Sequence, residues 1–182
     1  MKIGIIVGSI REACNGDTVG QWVAAAAKRR SDAQFELLDL KSFEVPLLTA
    51  ATLPAMANKQ YDSPSVTRWS QAVDACDGFV FVTAEYNHGV PGAFKNAVDS
   101  LGPEWTGKTV AFVSYGADGG VRAVEQWRQI IVNFQMLDVR AQVSLSLFTE
   151  FGPDGLTPLD RRDGELTTLL DQLIALTTQV AA

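Results

Sequence analysis

The chain has 182 residues, of which 47% are hydrophobic and 20% are charged, and its formal net charge is -6 at pH 7. These values predict one globular domain over residues 1–182, large enough to build a core without disulfides. The acidic balance argues against a nucleic acid or an anionic membrane as partner, because both attract a basic surface.

The first predicted elements are a strand and a helix joined by a polar loop. Residues 2–8 form a short apolar run of the kind that a buried parallel strand requires. Residues 9–17 are polar, and the following helix is indicated by Val19, Trp22, Val23, Ala26 and Ala27 at helical spacing. No signal segment precedes the strand, no apolar run approaches about 18 residues, and Cys14 and Cys76 are the only cysteines. We therefore expect a reducing, cytoplasmic compartment.

A second strand is predicted over residues 35–40 and a long connection over residues 41–63. The connection is more apolar than a solvated loop should be, because it contains Leu47, Leu48, Leu53 and Met56. Connections of this length inside a domain are usually functional or part of an interface, so we expect packing against a partner subunit. Ser63 and Pro64 then predict the start of the next helix.

The third predicted strand, residues 78–83, is an apolar, β-branched run typical of the centre of a sheet. A polar loop over residues 84–89 follows, and Pro91 predicts the first turn of a helix. Further elements are a strand over residues 108–115, a glycine-rich turn over 116–120, a helix from Val121, a strand over 139–148, a turn over 152–155 and a last helix bearing Leu166, Leu169, Leu170, Leu173 and Val180.

This alternation of five strands and five helices predicts an α/β fold with a parallel sheet covered on both faces. For five strands the doubly wound order 2-1-3-4-5 fits, which is a flavodoxin-like three-layer sandwich. In that order the loops after strands one, three and four converge at one crevice, where such sheets bind ligands. The loops are residues 9–17, 85–89 and 116–120.

The first of these loops has the features of a phosphate site. Ser9 supplies a hydroxyl, Arg11 a fixed cation, and Gly16 lies just before a helix N-terminus with its free N–H groups. The alternative is that Ser9 only caps a turn while Arg11 is solvated. Two common nucleotide motifs, G-x-G-x-x-G and G-x-x-x-x-G-K-[ST], are missing from the sequence, which leaves a mononucleotide as the favoured ligand.

The other candidate residues give no strong prediction of catalytic chemistry. His88 is the only histidine, so a multi-histidine metal site is excluded and no metal is expected. A lone histidine is more often a bystander than a general acid, and Tyr86 alone is more often a half-buried loop aromatic. Cys14 at a helix N-terminus is suggestive, but no histidine lies near it in sequence, so no catalytic residue is predicted.

Three segments together resemble the NADPH-dependent FMN reductase family, namely residues 8–11, 85–99 and 114–123. The Glu85-Tyr86-Asn87 motif followed by Pro-Gly and Lys-Asn is the specific part of this resemblance. It implies that Ser9, Arg11 and the loop through Cys14, Asn15 and Gly16 bind the FMN phosphate. It also implies that Glu85, Tyr86, Asn87 and His88 line the isoalloxazine, that Ser114 and Gly116 meet its other edge, and that the protein forms homodimers or homotetramers.

The chain departs from this family's pattern at two positions. Cys14 stands where many members have a second phosphate-binding serine, so more of the phosphate is left to Arg11 and backbone amides. Ala84 stands where many members have a proline before Glu85, which concerns the stiffness of the loop and leaves its role unchanged.

The leading hypothesis is an FMN-dependent oxidoreductase that passes hydride from NADPH or NADH through FMN to a second acceptor by a ping-pong mechanism. Free flavin, a quinone, an azo compound or a metal oxyanion could be that acceptor. The alternatives are a flavodoxin-like electron carrier and an FMN-binding regulatory module. The long 41–63 connection and the glycine-rich walls favour the enzyme, because a second substrate must stack on an exposed flavin face.

Overall fold

The computed structural model describes residues 1–12, 14–153 and 155–181. Ala13, within the predicted 9–17 loop, and Asp154, within the predicted 152–155 turn, lie outside the described residues, as does Ala182. The strands are β1 (Lys2–Val7), β2 (Gln34–Asp39), β3 (Gly78–Ala84), β4 (Thr109–Gly116), β5 (Leu137–Ser146), β6 (Phe151–Gly152) and β7 (Gly155–Leu156). The α-helices are α1 (Asn15–Ala27), α2 (Leu40–Phe43), α3 (Pro64–Asp74), α4 (Gly92–Asp99), α5 (Val121–Ile131) and α6 (Arg161–Val180), with 3-10 turns at Pro54–Met56 and Val132–Phe134.

Strands β1 to β5 form one parallel sheet in the order β2-β1-β3-β4-β5. The predicted flavodoxin-like topology is therefore confirmed. Strand β2 lies on one side of β1 and β3 lies on the other, so the order in which strands are added to the sheet reverses between β1 and β3. Because all five strands are parallel, their carboxyl ends meet at one edge of the sheet.

The two faces of the sheet bury different side chains. Helices α3, α4 and α5 cover an aromatic face, in which the Phe81 ring lies 4.8 Å from Phe94 and 5.4 Å from Trp127. Helices α1 and α6 cover an aliphatic face formed mainly by valine, isoleucine and leucine. The apolar runs predicted to be buried strands are buried on both faces, as a parallel sheet covered by helices requires.

A glycine at the end of β1 allows helix α4 to approach the sheet closely. A Cβ atom added to Gly8 would lie 1.9 Å from the Phe94 ring, so any other residue here would displace that ring. The Gly8 amide continues the sheet by donating to the Val82 carbonyl at 3.0 Å. The first turn of α4 is therefore held directly against the strand end from which the first loop leaves.

Three features differ from the predictions made from periodicity. Helix α1 begins at Asn15, so the first loop is shorter than residues 9–17 and Gly16 belongs to the helix. The long connection after β2 starts with the one-turn helix α2, capped by Asp39, and includes a 3-10 turn. A small hairpin of β6 and β7 precedes α6. These elements are too short for a hydrophobic period to reveal them.

A buried ion pair fixes that hairpin beside the start of α1. The Glu150 carboxylate is fully buried and accepts from Arg162 Nε at 2.8 Å and Nη2 at 2.9 Å, and from the Ser146 amide at 3.0 Å. The Phe151 ring then lies 6.1 Å from the Tyr115 ring at the end of β4. None of the helices in the described ranges is long and apolar enough to span a membrane.

Candidate functional site

The loops after β1, β3 and β4 meet at the carboxyl edge of the sheet, as predicted. Ser9 Oγ of the first loop lies 2.7 Å from Tyr86 Oη of the second. The Glu85 amide donates to the Tyr115 carbonyl at 3.0 Å, which joins the ends of β3 and β4. Residues from three separate segments therefore meet at one end of the sheet, where the crevice is predicted.

The N-terminus of α1 presents hydrogen-bond donors to this crevice. Cys14 is the N-cap residue, has extended backbone angles and makes no side-chain cap bond to the described part of the helix. The first amides of a helix have no partner within it, and its dipole adds partial positive charge at the same end. Arg11 lies earlier in the first loop, and its guanidinium carbon is 6.0 Å from the centre of the Tyr86 ring. This end of the crevice therefore suits an anion.

A buried hydroxyl lies beneath these donors. Tyr115 is only 5% exposed, and its Oη has no hydrogen-bond partner among the described residues. A Cβ atom added to Gly16 would lie 2.8 Å from this oxygen, so the hydroxyl occupies the space below the first turn of α1. Burial raises the pKa of Tyr115, although the nearby Ser9 hydroxyl opposes the shift. The group therefore stays protonated and can donate a hydrogen bond.

The second loop is a tight turn of four residues. The Tyr86 amide donates to the Gly89 carbonyl and the Gly89 amide to the Tyr86 carbonyl, both at 3.0 Å. Asn87 and His88 have φ angles of 51° and 67°, the pattern of a type I′ turn. Left-handed angles are unfavourable for residues with side chains, so the surrounding structure has to hold this turn. Both side chains are exposed at the mouth of the crevice.

Helix α5 holds this loop at two points. Glu85 is almost buried, with a side chain 7% exposed, and its carboxylate accepts from Arg122 Nη1 at 2.6 Å and from the Arg122 amide at 3.0 Å. It caps the helix because the N-cap residue is Gly120, which has no side chain. One turn further along, Gln126 donates to the His88 carbonyl at 2.8 Å and accepts from the Val90 amide at 3.2 Å.

The third loop is a glycine turn that approaches the second loop closely. Gly119 and Gly120 have φ angles of 74° and 77°, which only glycine adopts readily. A Cβ atom added to Gly116 would lie 3.0 Å from the Gly120 amide nitrogen and 3.2 Å from the Glu85 Cβ. Ser114 is fully buried and donates to the Gly119 carbonyl at 2.7 Å, so its hydroxyl supports the turn from below.

The structure divides the predicted site residues into three groups. Those exposed or partly exposed at the crevice are Arg11, Cys14, Asn15, Tyr86, Asn87 and His88. Ser9, Gly16 and Gly116 lie buried in its walls. The side chains of Glu85 and Ser114 make hydrogen bonds that fix the loops, so we propose that these two residues position the loops.

Sequence reasoning missed two supporting residues and the hydroxyl below the first loop. Gln126 and Arg122 lie on one face of α5 at a spacing of four, which was a possible signal for a shared partner. Tyr115 lies in the 114–123 segment of the family resemblance, but a tyrosine at a strand end looks like an ordinary core residue and was given no role. Among the described residues no group of histidine, cysteine, aspartate and glutamate side chains is arranged to hold a metal ion.

Comparison with known proteins identifies relatives of this chain. A family model described as NADPH-dependent FMN reductase matches residues 1–150. The NAD(P)H-dependent FMN reductase ntnL of Nectria sp is 43% identical over 129 residues, covering 69% of this chain and 64% of that protein. A quinone reductase of Pseudomonas putida KT2440 is 30% identical over 145 residues, covering 74% of this chain and 72% of the relative.

Solved structures share the fold at low sequence identity. The flavoenzyme NAD(P)H:(acceptor) oxidoreductase FerB of Paracoccus denitrificans superposes with a TM-score of 0.77 at 18% identity. The superposition covers 98% of this chain and 97% of FerB. The matched part of the chain spans less than two thirds of the length of the first two curated relatives, 64% in each case.

The two bonds of Gln126 predict how the turn behaves when they are removed. Gln126→Ala should increase hydrogen exchange of the Val90 amide roughly 5-fold, because one net hydrogen bond is worth about 1 kcal/mol. Gln129→Ala is the matched control, since Gln129 lies on the same helix and is exposed. Equal exchange in both variants would show that Gln126 does not hold the turn.

Proposed function

Because this chain belongs to the NADPH-dependent FMN reductase family, we propose that it is an FMN-dependent oxidoreductase using NADPH or NADH. The observation that carries the proposal is the donor-rich N-terminus of α1, placed beside two loops with open backbone at the switch point of the sheet. FMN supplies the redox chemistry when bound, since it accepts a hydride and passes two electrons on. The protein supplies binding and orientation.

The anion end of the crevice fits the phosphate of FMN. Arg11 gives one fixed cation, and the first amides of α1 give donors that point along the helix axis. Ser9 is 2% exposed and already contacts Tyr86, so it also fixes the position of that ring. Asn15 and Gly16 bind through their backbone, because both belong to the first turn of the helix.

The second and third loops fit the isoalloxazine ring. The turn at residues 86–89 and the glycine at position 116 present main chain rather than bulky side chains, which allows a flat ring to approach closely. Glu85 fixes the separation of these walls through Arg122. Asn87 and His88 lie at the exposed rim, where a second substrate would enter.

A small-molecule acceptor is the second substrate that we propose. A Pseudomonas putida relative is named a quinone reductase, and a Bacillus relative is named an NADPH azoreductase. One ring face cannot stack on the nicotinamide and on an acceptor together, so the two bind in turn and the kinetics are ping-pong. The free thiols of Cys14 and Cys76 support the expected reducing, cytoplasmic compartment.

Anaerobic titration of the purified, flavin-loaded protein tests this function. NADPH or NADH should bleach the flavin absorbance, and double-reciprocal plots with NADPH and a quinone should be parallel. His88→Ala should keep the flavin and most of the rate, because the hydride step needs no proton donor. Failure of both nicotinamides to reduce the flavin, while a one-electron donor succeeds, would favour the electron-carrier alternative.

The phosphate contact of Arg11 gives a second prediction. Arg11→Ala should weaken FMN binding by about 1.5–3 kcal/mol, the range for a hydrogen bond to a charged group, and should leave riboflavin binding nearly unchanged. Flavin fluorescence titration measures both affinities. Arg29→Ala, which removes an exposed arginine at the other end of α1, is the control and should change neither. An equal loss for both ligands would exclude a phosphate contact.

We also propose that the chain forms a homodimer or homotetramer through its 46–56 segment. Leu47, Leu53 and Met56 are 77%, 65% and 70% exposed, which is unusual for side chains so close in sequence. Asn96 of α4 anchors this segment, donating to the Pro46 carbonyl at 2.8 Å and accepting from the Leu48 amide at 2.9 Å. The segment therefore lies beside the helix that begins at the crevice.

Light scattering at micromolar concentration tests this assembly. The protein should run as a dimer or tetramer, and Leu47→Ser with Met56→Ser should shift it toward the monomer by removing apolar contact area. Val132→Ser is the control, because Val132 is 67% exposed at the far end of α5. A monomeric unmodified chain would remove the proposal.

A further inference from the structure

The Tyr115 hydroxyl has no role in the function proposed above, although it lies inside the candidate phosphate site. Tyr115 belongs to the face of β4 that α1 covers. To reach α1 its ring must cross the neighbouring strand, and the residue paired with it on β3 is the small Ala84. The side chain therefore extends from β4 past β3 to the start of α1.

The position of the hydroxyl relative to Gly16 shows where it is directed. Cα–Cβ bonds in a helix tilt toward its N-terminus. The Tyr115 oxygen lies 2.8 Å from the position of a Gly16 Cβ atom, and that position is 3.4 Å from Cys14 Sγ. The hydroxyl is thus on the sheet-facing side of the first turn, close to the N-terminal end of α1.

The polar side chains nearest to Tyr115 Oη make their hydrogen bonds to other groups. Ser9 Oγ accepts from the Arg11 amide at 3.4 Å and is 2.7 Å from Tyr86 Oη, where either oxygen can donate. The Cys14 thiol donates to the Ser9 carbonyl at 3.9 Å, and its sulfur is only a weak acceptor. Among the described residues Tyr115 Oη finds no partner. Buried polar groups normally have one, so an acceptor from outside the chain is expected.

We propose that Tyr115 is a phosphate ligand, whose hydroxyl donates a hydrogen bond to the phosphate of FMN from the sheet side of the site. The inference rests on the proposed function and extends it, since it names a residue that distinguishes phosphorylated from unphosphorylated flavin. A neutral donor suits this place because Arg11 already supplies a cation.

Flavin binding to the flavin-free, full-length protein tests this ligand. Tyr115→Phe removes one oxygen and keeps the ring that packs on Phe151. It should weaken FMN binding roughly 10-fold, about 1.4 kcal/mol, and change riboflavin binding less than about 2-fold, because riboflavin lacks the phosphate. An unchanged FMN affinity, or an equal loss for both ligands, would overturn the proposal.

Thermal unfolding without flavin separates a ligand role from a structural one. An unpartnered buried hydroxyl is unfavourable, so Tyr115→Phe should raise the melting temperature by about 2–4 °C while it weakens FMN binding. Tyr61→Phe is the control: Tyr61 Oη donates to the buried Glu104 at 2.7 Å, so its loss should lower the melting temperature and leave the FMN-to-riboflavin ratio unchanged. A lower melting temperature for Tyr115→Phe would indicate a structural role and overturn the proposal. If the unmodified protein binds neither flavin, the proposed function itself fails.

Discussion

The Glu85 carboxylate is the group on which the geometry of the crevice depends. It follows β3 directly, yet its partners lie after β4, at the first turn of α5. One carboxylate therefore supplies the cap that Gly120 cannot give and ties the second loop to the third. The contact is worth more than a surface ion pair, because the Glu85 side chain is 7% exposed and one of its two bonds is to a backbone amide.

Small residues below the crevice are as important as the polar groups that line it. Gly8 admits the Phe94 ring, and Gly16 leaves room for the Tyr115 hydroxyl. A Cβ atom added to Gly120 would lie 2.8 Å from Ser114 Cβ. Because none of these glycines carries a side chain, helices and loops approach the sheet closely. The crevice is thereby built from main chain on rigid supports, which favours precise placement of a flat ligand.

The sequence predicted the five strands, their order and the three loops, because parallel strands buried on both faces read as continuous apolar runs. It also placed Ser9, Arg11 and the Glu85-Tyr86-Asn87 motif after strand ends, where the structure has them, while their role in binding stays a prediction. It did not predict Gln126 or Tyr115, whose relevance depends on tertiary contacts with residues 36 and 99 positions away. The one-turn helix α2 and the β6–β7 hairpin were missed because four or fewer residues carry no period.

The supports of the two halves of the site come from opposite faces of the sheet. The anion end rests on α1, Tyr115 and the hairpin held by Glu150, all on the aliphatic side. The second loop is held by α5, which packs on the aromatic side, while the Tyr86 ring of that loop packs against the aliphatic cluster. The side-chain contact between Ser9 and Tyr86 joins the halves directly. The geometry of the crevice therefore depends on packing on both faces of the sheet at once.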